Sequence, residues 1–346
     1  MQRHEWWRAI YRERRYLEHL SAADLVQRLR DVMNNMVNIT PEAKLGFHKV
    51  DPVGEAWWIR FTHVLEEYSL RGQGLPYDVM REHQLPDVIW PKRGKLARSG
   101  KPGWQHILPT LPEGAVVKYG KLEFLRPMLE HGQIRLCPAS FYKDTSLGPH
   151  RHDDERVRTT HQHPFGTKIR VVQRADGTSV PNGPESPVLG NITTRVESWD
   201  YFVWCGSGAL EPRLFIDFDH ADACVIVRDV RAFAQRLGWA ASQHILGAIP
   251  SVGAIEVEWK GVRYFDPHLP PKPPNDRLPV PWSKPLRYAY QQEYRIVIEV
   301  FPSPASTLPV LNLCLGPLSD IAELVYVGEM EGHTHVGRGS LVPRGK

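Results

Sequence analysis

The spacing of the hydrophobic residues changes once along this chain, near residue 110, and that change limits the possible folds more than any other feature. Before it, apolar residues recur at helical spacing. Trp6, Trp7, Ile10, Tyr11, Leu17 and Leu20 fall near helical positions within residues 3–37. Ser21 is placed to cap a second helix through Leu25, Leu29, Val32 and Met33, its oxygen accepting an N–H that no helical carbonyl reaches. Residues 56–68 (AWWIRFTHVLEEY) predict a third helix, stopped by Arg71-Gly72-Gln73-Gly74. After residue 110 the apolar runs shorten to strand length. Residues 115–119 and Gln133 to Pro138 read as strands, with a helix from Leu122 to His131 between them, closed by Gly132. Further β-like runs follow at 167–173, 199–204, 223–227, 254–259, 295–301 and 324–327, interrupted by a helix from Val230 to Leu237.

This pattern predicts an α+β chain: an N-terminal helical module over 1–105 and a strand-based domain over 106–336. Residues 87–103 hold five Lys or Arg among Pro and Gly, and read as an exposed linker or basic arm. Residues 143–166 read as a polar loop outside the core, and 267–281 as a stiff proline-rich excursion. Residues 337–346, with Gly339-Ser340-Leu341-Val342-Pro343-Arg344-Gly345, resemble a thrombin-cleavable linker and are set apart from the fold. At 42% hydrophobic and 24% charged, the chain can build a packed core. No run approaches the roughly 18 apolar residues of a membrane span, so no membrane partner is expected. The N-terminus lacks the apolar stretch of a secretory signal, and four scattered cysteines without C-x-x-C point to a reducing cytoplasm. Residues 1–110 carry 17 Lys and Arg against 13 Asp and Glu, a difference equal to the whole net charge of +4. That balance suits a solvated helical surface and is compatible with nucleic acid.

Three segments far apart in the chain carry a further pattern. The first is Val117-Lys118-Tyr119-Gly120 leading to Pro138-Ala139-Ser140-Phe141-Tyr142-Lys143-Asp144. The second is Tyr201-Phe202-Val203-Trp204-Cys205-Gly206-Ser207. The third is Tyr290-Gln291-Gln292-Glu293-Tyr294-Arg295. Together they resemble a group of bacterial proteins that looks like a divergent branch of the ADP-ribosyltransferase fold, over roughly residues 114–330. The resemblance implies split mixed or antiparallel β-sheets around a cleft, NAD as the cofactor consumed, and transfer of ADP-ribose to a macromolecular acceptor, protein or nucleic acid. It also implies the setting of a bacterial toxin or phage-defence effector.

The resemblance assigns roles to eight residues. Glu293 is expected to hold the ribose and offset the positive charge of an oxocarbenium-like state. Gln291, two places earlier, would share its strand face and look toward the acceptor. Tyr142 is matched to the aromatic residue that stacks on nicotinamide in the diphtheria-like branch, and Ser207 to the strand hydroxyl of the cholera-like branch. Lys118, Tyr119, Ser140 and Arg295 are expected around the dinucleotide. Lys118 stands where the family places Arg or His, and offers a point charge without a guanidinium fork. The plain structural reading of Glu293 is an ordinary ion pair with Arg295.

Two other functional classes compete. His150, His152, His161 and His163, with Asp153, Asp154 and Glu155, form a ligand set that suits Zn or Mn, as in a metal-dependent nucleic-acid-processing enzyme. The same three acidic residues would also cap a following helix. The third class is a non-catalytic nucleic-acid-binding module using the arm from Lys92 to Lys101. A 2′-phosphotransferase acting on RNA with NAD shares the resembled fold. Cys205 has no histidine nearby in sequence to activate it, and Cys224 and Cys314, in apolar runs, are expected to be buried.

Overall fold

Helix α1 (Arg3–Arg14) is followed by α2 (Ala22–Met36), which starts where Ser21 accepts a hydrogen bond from the Asp24 N–H at 3.1 Å. Leu25, Leu29, Val32, Met33 and Met36 make its buried stripe. α3 (Pro52–Leu70) packs on both, joining Val64 and Tyr68 to Tyr11, Leu17 and Leu25. Glu66 and Glu67 of α3 face inward as well. Glu67 is fully buried and accepts from Tyr11 Oη at 2.6 Å, Arg15 Nε at 3.1 Å and Arg71 Nε at 2.6 Å. A buried carboxylate is tolerable here only because its acceptor positions are met by two guanidinium groups and a phenol.

The computed structural model describes residues 2–39, 45–48, 52–82, 96–98, 101–105, 109–144, 154–162, 164, 168–170, 178, 185–218, 221–249, 251–269, 279–303, 308–327, 333–336 and 340–343. Beyond the helical module the chain builds β1 (Val116–Gly120), α4 (Leu122–His131), β2 (Gln133–Pro138), β3 (Phe202–Ser207), β4 (Ala223–Val227), α5 (Val230–Ala248), β5 (Ala254–Gly261), β6 (Glu293–Phe301), β7 (Leu311–Cys314) and β8 (Ala322–Val327). The chain is therefore α+β, with its helices leading. Among the described residues the main sheet runs β5-β6-β3-β1-β4-β8, and every pairing in it is antiparallel.

The sheet forks at β3. One edge of β3 pairs with β6 along its length. The other edge is shared: Ser207 pairs with Val117 of β1, whereas Phe202 and Val203 pair with Pro138 and Cys137 of β2. β2 then pairs with β7, giving a second wing. α4 and α5 cover one face, where Phe233, Leu237 and Ile245 are fully buried against Phe202, Trp204, Ile296 and Ile298. Each such side chain contributes about 1.5–3 kcal/mol. α5 extends past Leu237 to Ala248 because Ala241 and Ile245 continue its buried stripe. Gly238 lets the helix approach β5, since a Cβ there would stand 2.9 Å from Val257.

Several expectations are corrected. The 143–166 stretch is not wholly outside the core: Val157–Gln162 is a strand paired with Ile192–Glu197, and Glu155 just before it is 7% exposed. Because a strand follows, Asp154 and Glu155 cap no helix. Within the expected basic linker, Leu96–Arg98 pairs with β8 and Lys101–Gln105 with Leu96–Arg98, extending the sheet. Cys314 is exposed, because β7 alternates and turns Leu311 and Leu313 inward instead.

The helical module is tied to the back domain by polar contacts. Arg28 Nη2 and Arg60 Nε reach Asp266 Oδ2 at 2.5 and 3.1 Å. Asn35 on α2 accepts from the Tyr290 N–H at 2.7 Å and donates to the Arg287 carbonyl at 3.1 Å. Asn35 thus clamps the 3-10 turn Leu286–Gln291 that feeds β6.

Candidate functional site

β6 begins at Glu293, directly opposite Ser207 in the register of β3, with Arg295 opposite Cys205. Period-two alternation sends Ser207, Cys205, Glu293 and Arg295 to one face, away from α4 and α5. There Glu293, Arg295, Lys284 and Glu155 form a closed ring of two anions and two cations. Glu293 Oε1 accepts from Arg295 Nε at 2.5 Å, and Oε2 from Lys284 Nζ at 2.5 Å. Lys284 Nζ also reaches Glu155 Oε1 at 3.4 Å, and Arg295 Nη2 donates to Glu155 Oε2. Arg295 Nη1 donates to the Pro281 carbonyl at 2.7 Å. Tyr201 Oη holds the Glu155 carbonyl at 2.7 Å, and Tyr264 Oη accepts from the Glu293 N–H at 2.7 Å.

All four ring members are buried: Arg295 is 0% exposed, Glu293 and Lys284 6%, and Glu155 7%. Burial alone pushes the Glu293 carboxyl up, but the charges of Arg295 and Lys284, with a hydrogen bond from each, outweigh it and hold the group at about 2. Burial works against charge on Arg295 too, yet Glu155 and Glu293 keep its pKa well above the ordinary value. Glu293 is therefore an ionised carboxylate. Cys205, beside it, is the reverse: burial and then the Glu293 charge push the thiol up, so it is no thiolate nucleophile.

The structure brings some of the eight expected residues together. Tyr142 packs with Tyr201, Val203, Trp282 and Cys205 on this same face. Burial pushes its phenol well up, and the Glu155 and Glu293 charges push the same way. Ser207 Oγ donates to the Gln291 carbonyl at 2.7 Å and accepts from the Ala209 N–H at 3.1 Å, so its hydroxyl pins the turn before β6. Gln291 does not share a strand face with Glu293: it ends the 3-10 turn, and Gln292, at φ 43°, breaks the alternation. Its Nε2 meets Tyr290 Oη at 3.4 Å.

The others lie apart. Lys118 follows Val116 onto the helix-covered face, sits over the Trp204 ring, and donates to the Cys205 carbonyl at 2.8 Å. Tyr119 donates to the Ala209 carbonyl at 2.9 Å, accepts from the Glu211 N–H at 2.8 Å, and packs on Phe215. Ser140 is bound to Asp200 through its N–H at 3.0 Å and its hydroxyl at 2.7 Å. Compared with known protein families, curated proteins and solved structures, the chain matches none.

Sequence reasoning missed Glu155 and Lys284 as members of the site. Their signal was weak: Glu155 closes an Asp-Asp-Glu run, and Lys284 is one of four cations, with Lys272, Arg277 and Arg287, in a proline-rich stretch. His150, His152, His163 and Asp153 lie outside the described residues. His161 bonds Thr193 Oγ1 at 3.1 Å and stacks on His268 at 5.6 Å. Among the described residues, no group of three or more candidate ligands gathers for a metal.

Proposed function

We propose that this chain is an ADP-ribosyltransferase-like enzyme that consumes NAD and passes ADP-ribose to a protein or nucleic-acid acceptor, with Glu293 as the carboxylate beside the reacting ribose. One observation carries the reading: an ionised carboxylate opens β6 directly across from Ser207, at the strand where the sheet forks. Breaking the nicotinamide–ribose bond develops positive charge on the sugar, and a fixed anion steadies it. Tyr142, on the same face, suits the nicotinamide end by its aromatic ring.

The fit to NAD is one-sided. A pyrophosphate needs donors, and the expected ones are committed: Arg295 is fully buried on two carboxylates and Lys118 is bonded on the opposite face. Lys284, on a three-residue strand Ser283–Pro285, holds Oε2 of Glu293, so a substrate that uses this oxygen has to displace it.

A second reading has its own observation. Both oxygens of Glu293 are bonded and the residue is 6% exposed, which suits a binding scaffold held together by the ring. Nicotinamide release from NAD, with protein and RNA acceptors, separates the two. Release by the wild-type chain that Glu293→Gln abolishes supports the enzyme. No release and no NAD binding, with Glu293→Gln only lowering the melting temperature, supports the scaffold.

A further inference from the structure

β5 is an edge strand. It pairs with β6 on one side, and among the described residues no strand pairs with the other. The bonded positions of an antiparallel pair alternate. Val262 donates to the Glu293 carbonyl at 2.9 Å, in register, so the even-numbered residues of β5 face β6. The N–H and C=O groups of Ile255, Val257 and Trp259 are thereby turned to the free edge. An eight-residue edge of this kind is a template for another strand.

The two sides of this edge differ in chemistry. Toward α5, Ile255, Val257 and Trp259 line an open groove of about 360 Å³ with Gly238, Trp239 and Ser242. Trp239 is 70% exposed at its rim. On the other side stand Glu256 and Glu258, with Glu299 of β6 directly opposite Glu256. Lys260 pairs with Glu258 at 2.9 Å and covers Trp282, leaving the acidic side with three carboxylates to one ammonium. Burial and these neighbouring glutamates push the Glu299 carboxyl up. Like charges placed opposite one another across strands destabilise the sheet, and a cation alongside relieves that.

We propose that the β5 edge docks an extended segment of a partner protein in which apolar residues alternate with Lys or Arg. The segment adds to the sheet through the outward backbone groups of Ile255, Val257 and Trp259. Its apolar side chains enter the groove by Trp239, and its cations lie along Glu256, Glu258 and Glu299. A second copy of this chain is the poorer occupant. An antiparallel self-pairing centred on Val257 would set Glu256 against Glu258 twice over. The proposal is independent of the reading of Glu293.

The test is titration of the full chain with a blocked hexapeptide of alternating lysine and valine, followed by calorimetry and tryptophan fluorescence. Saturable binding is expected, weakening with added salt, and absent for the peptide with glutamate in place of lysine. Val257→Pro removes an outward donor while leaving the bonds to β6, because proline is tolerated on an edge strand whose N–H faces out. It should weaken binding about tenfold or more. Should Val257→Pro fail to fold, E256K/E258K, which reverses the charge and keeps the backbone, should weaken it comparably. No binding by about 1 mM peptide, equal binding of the glutamate peptide, or indifference to both variants overturns the proposal. So does a dimer in sedimentation that Val257→Pro dissolves.

Discussion

Arg295 donates its Nε to the carboxylate of Glu293, two places earlier on the same strand, at 2.5 Å. Residues two apart on a strand share a face, and here both are shut off from solvent. That contact makes Glu293 part of the interior as well as the proposed reactive carboxylate. Removing it must therefore be read on two scales, stability and turnover.

Glu293→Gln leaves Lys284 and Arg295 facing one carboxylate, Glu155, instead of two. Breaking a buried ion pair by deleting one partner costs about 3–5 kcal/mol. Denaturant unfolding should show a loss of that order. On the enzyme reading, nicotinamide release should fall by a further hundred- to thousandfold per folded molecule, roughly 3–4 kcal/mol of transition-state stabilisation.

Lys284→Met and Glu293→Gln should couple. Each alone leaves an uncompensated charge in the ring; together they leave Glu155 paired with Arg295, one anion to one cation. The double variant should be less destabilised than the two singles summed, by about 0.5–3 kcal/mol. Additive losses in unfolding measurements would show that the four residues do not act as one unit.

Stability should fall in acid in two steps. His63 is buried, its Nδ1 3.2 Å from Tyr16 Oη, and burial lowers its pKa to about 4 from 6.5. The unfolded chain then binds the proton that the fold refuses, so stability is lost as pH drops from 6.5 toward 4. Glu293 acts lower. Its depressed pKa of about 2 against an ordinary 4.5 gives stability that is present above 4.5 and lost as pH falls toward 2. Melting temperature against pH should lose part of the upper step in His63→Gln and part of the lower step in Glu293→Gln.

Asn35→Ala tests whether the helical module positions the site. It removes the side-chain partner of the part-buried Tyr290 N–H and Arg287 carbonyl, at about 0.5–1.5 kcal/mol for each hydrogen bond lost. The 3-10 turn before Glu293 should loosen. Hydrogen exchange at residues 286–292 should quicken well before that of β4, which pairs on both edges.

Local signals in the sequence carried the long helices and the six strands of the main sheet. Ser21 marks the start of α2, Gly132 ends α4 at φ 67°, and the 223–227 run is β4. These rest on capping, left-handed turns and apolar period, all interactions within a few residues. The same reasoning read Gln291 and Glu293 as one strand face, and failed because Gln292 takes a left-handed turn that no residue type there requires. It also read 143–166 as solvent-side loop, since Glu155 looks like surface until Arg295 is beside it.

By itself, the sequence determined the α+β class, the start of α2, the end of α4, and that Glu293 and Arg295 are neighbours. Whether Glu293 stands open in a cleft or closed in a ring was decided by Glu155 and Lys284, which arrive from distant segments. Tertiary structure also sent Lys118 to the opposite face and left β5 with a free edge. The reason is physical: burial and charge pairing are sums over long-range contacts, and residue spacing along a chain encodes only the short-range ones.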